Sequence, residues 1–173
     1  MAAATAGYTR TACTTPFAHD HLSGPSGPPG WPTDGVVELG VRRATFAGTD
    51  ALGMSVQPKV IGWLSTPVAA RNLTLVVGEG DRLANDRFFQ AMTDAGWELH
   101  VLVLAATLSA AAERRAARGS TQNEAWVRGR ITKTVRLAQR WGAHRVEDGP
   151  PAAVAAALQE KVAELVDSGH TRV

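Results

Sequence analysis

The sequence predicts an α/β fold, three layers deep, with a parallel sheet covered by helices on both faces. Three observations carry that reading. The stretch at residues 73–77 is apolar but for Thr74, and the run "WELHVLVL" at 97–104 ends in four consecutive apolar residues, as strands do when both faces of a sheet are buried. From residue 73 onward, strand-like and helix-like patterns alternate, which is the pattern of βα units. The 173 residues, 45% apolar and 20% charged, suffice for one domain with its own core. A single domain over 1–173 is therefore expected, with residues 1–34 as an irregular N-terminal segment.

Each element has a local chemical cause. "MAAATAGY" reads as an Ala-rich helix end with no capping residue before it. "TRTACTTPF" is a short strand candidate. Residues 23–33, "SGPSGPPGWPT", form a Gly/Pro-rich loop that neither a helix nor a central strand tolerates. "GVVELGVRRATFAGTD" reads as irregular, and residues 51–64 then have helical spacing. The strand at 73–77 leads to a helix near 81–95, ended by Gly96. The strand within 97–104 leads to a helix at about 109–118. A long helix at about 123–141 comes next, with Val127, Ile131, Val135 and Ala138 as its expected buried stripe. "AHRVED" is a short third strand. Pro150 and Pro151 then open a last helix over 152–166, where Pro is favoured in the first turn.

Net charge is only +2, which excludes a molecule that coats nucleic acid with its whole surface. The cations are nevertheless concentrated. Arg114, Arg115, Arg118, Arg128, Arg130, Lys133, Arg136 and Arg140 crowd one segment, suited to a local anion-binding face. A single cysteine, Cys13, excludes an internal disulfide and fits a reducing cytoplasm, the expected location. No apolar run approaches the ~18 residues of a membrane span, and the first residues lack the charged start and apolar core of a signal peptide.

The chemistry centres on "LTLVVGEGDRLANDRFF", residues 73–89. An apolar strand that stops at Glu79, Asp81 and Arg82 places carboxylates where open α/β sheets bind ligands, beyond the strand's carboxyl end. Glu79 and Asp81 stand two apart, so an extended tip points them the same way. Two carboxylates held together raise one pKa, which suits a general base or a Mg²⁺ site at Asp81. The plainer account is that Asp81 caps the next helix, although capping leaves Glu79 unexplained.

A second constellation is "AAERRAARGSTQNEAWVRGRITK". Arg114 and Arg118 share a helical face, and Arg128, Arg130 and Lys133 lie further on; together they suit phosphate contact, against the alternative of a solvated basic surface. In "FAGTDALGMSVQP", Thr49 or Asp50 caps a helix, or Asp50 joins Arg42 and Arg43 in binding an acceptor. His19 and His21 of "HDH" lie on one side of an extended segment, with no third metal ligand evident in the sequence. Trp63, Trp97, Trp126 and Trp141 read as packing groups. Cys13 has no nucleophilic context. No G-x-x-x-x-G-K-[ST] occurs, and the Gly cluster at 23–30 is threaded with Pro25, Pro28 and Pro29, which lack the backbone N–H groups that cradle phosphate.

From about residue 35 to 141, "GEGDR" and "ERRAARG…VRGRITK" resemble the strand tip and arginine lid of P-loop kinases acting on nucleosides, nucleotides or nucleobases. More narrowly, "FAGTDALGMSVQP" with "GEGDRLANDRFF" resembles phage-type kinases related to the 5-hydroxymethyluracil DNA kinases. The resemblance implies a P-loop NTPase-like fold and phosphoryl transfer from Mg-ATP. It places Asp81 or Glu79 near the acceptor hydroxyl, with Arg82 beside them, and Arg114, Arg118 and Arg130 near phosphates. Such kinases begin with a strand, a phosphate-binding loop and a helix that these 173 residues do not contain. Met1 is therefore expected to be internal to a longer reading frame, with about 15–20 upstream codons encoding that strand and loop. Feeble or no turnover is expected of the chain as it stands, which acts as a kinase if the missing loop is supplied. The rival expectation is a non-enzymatic module that binds nucleotide or nucleic acid, DNA included, through the basic segment.

Overall fold

The computed structural model describes residues 3–40, 52–53, 55–80, 82–117, 119 and 123–168. In chain order the elements are β1 (Thr9–Cys13), β2 (His19–Ser23), β3 (Val36–Leu39), α1 (Gln57–Leu64), α2 (Pro67–Asn72), β4 (Leu75–Val77), α3 (Asp86–Asp94), β5 (Leu102–Ala105), α4 (Leu108–Ala117), α5 (Glu124–Arg140), β6 (His144–Glu147) and α6 (Pro151–Asp167). They fall into two compact units, one of Met1–Leu99 with Ala155–Val173 and one of His100–Val154.

The first unit holds a four-stranded sheet in the order β1-β2-β3-β4. It is mixed, not parallel as the sequence predicted: β1 with β2 and β2 with β3 are antiparallel, and only β3 with β4 is parallel. The short connection between β1 and β2 makes them antiparallel, because a parallel pair needs a long crossover. Residues 1–34 are correspondingly not all irregular, since they supply β1 and β2. Residues 3–7, expected as a helix end, form turns in which Ala4 and Thr5 are buried.

Strand β3 is the largest departure from the sequence reading, which took this stretch as irregular. Val36, Val37, Glu38 and Leu39 are all buried, and β3 pairs on both sides, with β2 and β4. Gly35 makes its start possible. Its φ is +70°, and a Cβ there would lie 2.4 Å from Thr74 Oγ1 and 2.8 Å from the Asn72 carbonyl oxygen.

Register assigns each side chain to a face. Leu22, Val36, Leu75 and Val77 look one way, where Tyr8, Trp31 and Val162 of α6 complete a core joined by Ala163 and Val166. Trp31 Nε1 donates to the Gln159 carbonyl at 3.0 Å, Gln159 Nε2 donates to the Ala4 carbonyl at 3.0 Å, and Gly30 lets the Gly/Pro-rich loop come against Ala163. On the other face Trp63 of α1 meets the rings of Phe17, His19 and His21. Helices thus flank this sheet on both sides.

Helix ends obey their local signals closely. Asn85 caps α3 by accepting from Phe88 N, and Gly96 (φ +86°) closes it in a Schellman motif with Trp97 N donating to the Met92 carbonyl. In the second unit, Asn123 caps α5, and Gly142 with Ala143 closes it in the same way. There β5 and β6 pair in parallel, so this strand pair conforms to the expected direction. The strand expected across 97–104 is confined to Leu102–Ala105. The stripe expected on the long helix is not buried as a unit. Leu137 is buried, whereas Ile131 and Val135 are 38% and 48% exposed.

Candidate active site

Parallel strands β3 and β4 run side by side with Glu38 opposite Val77. Both strands therefore deliver the chain to one edge of the sheet: Gly40 after β3, and Gly78, Glu79 and Gly80 after β4. This edge is the ligand-binding end of an α/β sheet. Gly78 fits beneath it because a Cβ there would lie 3.3 Å from Leu39 Cδ1 and 3.4 Å from Leu83 Cδ1. Gly80 turns the chain with φ +93°. Glu79 between them is half-buried. The loop is tied down next, since the Arg82 carbonyl accepts from Gln57 Nε2 at 3.3 Å and from Asn85 Nδ2 at 3.2 Å. The α3 cap is Asn85, so the capping explanation weighed for Asp81 is already filled by another residue. Asp81 itself lies outside the described residues, as do Arg42, Arg43, Thr49, Asp50 and Arg118.

The Gly/Pro-rich loop is at the other edge. Because β2 is antiparallel to β3, with Leu22 opposite Val36, residues 24–34 join them at the amino ends of β3 and β4. This loop therefore lies at the edge opposite the strand tips, and its prolines lack the backbone N–H groups that cradle phosphate. The fit to Mg-ATP is therefore partial. Among the described residues Glu79 stands at the expected edge for a divalent cation, while the sequence contains no G-x-x-x-x-G-K-[ST] loop for the phosphate tail.

The basic residues belong to the second unit, and the structure separates them. Arg114 of α4 pairs with Asp148, just past the carboxyl end of β6; Asp148 Oδ1 is buried without a hydrogen-bond partner. On α5, Arg128 is exposed and loosely paired with Glu124 at 4.0 Å, a contact of little energetic weight. Arg130 and Lys133, three apart and half-buried, share a different face. The Arg130 guanidinium lies over the Trp126 ring, 4.9 Å from its centroid; Trp126, expected as a packing group, is 44% exposed and serves here as a cation platform.

One cluster escaped the sequence reading, and a second was read only as the His19/His21 pair without its third member. On the α6 side of the sheet, Arg10 joins Asp20 (3.0 Å), Thr5 (3.0 Å) and Glu38, and Thr5 donates to Glu38 at 2.8 Å. Glu38 is fully buried and its Oε1 has no hydrogen-bond partner. On the opposite side, Cys13 stands across from His19 and one alternation from His21. Burial pushes the His19 pKa below its ordinary value, against a hydrogen bond to the Phe17 carbonyl that works the other way. The alternation in "HDH" was the available signal; it divides His19 and His21 from Asp20, and only the partner strand shows what each faces.

Glu79, flanked by Gly78 and Gly80, thus stands at the edge where α/β sheets bind ligands. The family described as P-loop Nucleotide Kinase3 matches residues 1–166, and the chain belongs to it. No curated protein and no solved structure matches the chain. Among the described residues no helix is long and apolar enough to cross a membrane.

Proposed function

We propose that the chain carries the acceptor side of a P-loop nucleotide kinase. In this reading Asp81, with Glu79 beside it, accepts the proton of an acceptor hydroxyl or orients Mg²⁺ there, and Arg82 steadies the developing charge. Arg114, Arg118, Arg128, Arg130 and Lys133 neutralise phosphates, and Thr49, Asp50 and Arg43 hold the acceptor. The acceptor class is a nucleoside, a nucleotide or a hydroxymethylated base. The observation that carries the reading is the Gly78–Glu79–Gly80 turn at the carboxyl edge of the parallel β3/β4 pair, in a chain of this family. Phosphoryl transfer is catalysed chiefly by positioning and charge stabilisation, much of it from the phosphate-binding loop. With no such loop in the 173 residues, they bind nucleotide and turn it over feebly.

The test has two measurements on the purified chain. Equilibrium dialysis with labelled nucleotides reads binding. Transfer from Mg-ATP to nucleosides, nucleoside monophosphates and DNA containing 5-hydroxymethyluracil reads catalysis. Asp81→Asn is expected to remove residual transfer while sparing binding, and Arg114→Ala with Arg118→Ala to weaken binding. Brisk transfer that survives Asp81→Asn refutes the assignment of the acid. Binding to nucleic acid that falls steeply with salt and ignores the acids replaces the kinase reading with a non-enzymatic binder.

A further inference from the structure

The β1–β2 hairpin brings three metal-ligating side chains together that nothing in the kinase reading uses. Cys13 opposes His19 in register, and His21 is on the same face of β2, so all three project to the α1 side of the sheet. Each offers one ligand atom, and these atoms lie within 4.8 Å of one another. Asp20, between the two histidines, points to the opposite face and is taken by Arg10. The cluster is thus a thiol and two imidazoles, with no carboxylate among them.

That donor set selects a metal. Thiolate and imidazole together favour Zn²⁺ over the hard, oxygen-seeking cations such as Mg²⁺ and Ca²⁺. Tetrahedral Zn²⁺ with bonds of about 2.0–2.3 Å needs ligand atoms about 3.3–3.7 Å apart. Side-chain rotations that draw the ligand atoms together by up to about 1.1–1.5 Å close the cluster to that spacing, and the paired strands fix its base.

The surroundings are those of a ligand shell. The His19 Nδ1–H donates to the Phe17 carbonyl at 2.9 Å, which commits that nitrogen and leaves Nε2 with the lone pair. A ligating histidine is commonly oriented in this way, its second nitrogen held by a carbonyl. Phe17 and Trp63 wall the cluster, their ring centroids 5.0 Å and 4.8 Å from that of His19. Aromatic packing by itself accounts for His19 against Trp63. It does not account for a free cysteine set directly across from one histidine and diagonally from the other.

We propose that Cys13, His19 and His21 form a Zn²⁺ site that clips β1 to β2, with its fourth position left to water. Three protein ligands with one exchangeable position is a known zinc arrangement. The site is independent of Mg-ATP and of the acids beyond β4.

The experiment uses the untagged 173-residue chain. It is stripped with chelator, then titrated with Zn²⁺, and with Co²⁺ as a spectroscopic stand-in. One equivalent of Zn²⁺ is expected to bind and, at 100-fold excess over Kd, to raise Tm by roughly 5–10 °C. Co²⁺ is expected to show a thiolate charge-transfer band and tetrahedral visible bands. Cys13→Ser is expected to abolish the charge-transfer band. His21→Ala is expected to weaken Zn²⁺ by more than the roughly 10–100-fold that loss of an outer-shell partner costs. Both positions are only half-buried, and circular dichroism establishes that each variant is folded. Binding that persists undiminished in a Cys13→Ser/His21→Ala double variant belongs elsewhere, for example at His100 and His144, whose rings are 5.9 Å apart, and overturns the proposal. A Co²⁺ spectrum without a thiolate band, or no saturable binding at all, does the same.

Discussion

Replacing Arg10 with methionine is expected to be among the most damaging single changes in the sheet. Met keeps most of the apolar stem, so the perturbation isolates the guanidinium. That group bonds Asp20, Thr5 and Glu38 together. Glu38 is 0% exposed and Asp20 5%, and the two acids are direct cross-strand partners. Without Arg10, two like charges face each other in a buried position with no compensating cation among the described residues. Breaking a buried pair by removing one partner costs about 3–5 kcal/mol, a large share of the roughly 5–15 kcal/mol that holds a domain folded. At about 2–4 °C per kcal/mol for a chain of this size, Tm falls by roughly 6–20 °C. Thermal unfolding monitored by circular dichroism reads this directly. A triple variant, Arg10→Met with Asp20→Asn and Glu38→Gln, is expected to regain much of the loss, because removing both signs removes the stranded charge. If Arg10→Met melts within a degree of the parent and the triple variant is no better, the cluster does not hold these strands and the reasoning fails.

Asn85→Ala removes the side chain that accepts from Phe88 N at 3.0 Å; a loss of about 1 kcal/mol is expected in urea titration, and a change under a few tenths would deny the cap. Gly35→Ala forces a Cβ against Thr74 and Asn72 at positive φ, where strain of about 1–3 kcal/mol is expected to lower the urea midpoint. Arg114→Ala removes a half-exposed partner of Asp148, so stability is expected to fall by less than ~1 kcal/mol while nucleotide affinity drops in dialysis. The opposite pattern would make Arg114 a clamp for Asp148 and not a phosphate ligand.

What the sequence determined was local. Gly96 and Gly142 close α3 and α5, Asn123 caps α5, and Pro151 opens α6, because capping and backbone restrictions act within a turn of the residues that cause them. Leu75–Val77 is legible as a strand for the same reason: its apolar pattern and its abrupt end before Gly78 and Glu79 are both written in a few consecutive residues. What the tertiary structure alone decided was partnership. "VVEL" is too short, and its Glu38 too polar, to announce a strand buried on both faces; Arg10, 28 positions earlier, makes that burial tolerable. "HDH" shows alternation, but which side meets Arg10 and which meets Cys13 is fixed by the register of β1 against β2. Periodicity marks Ile131 and Val135 as one helical face, yet their exposure depends on what packs there, which no helix specifies by itself. Caps and turns are short-range and survive in one dimension. Burial, ion clusters and ligand sets are sums over segments far apart in the chain, and they exist only once the strands have paired.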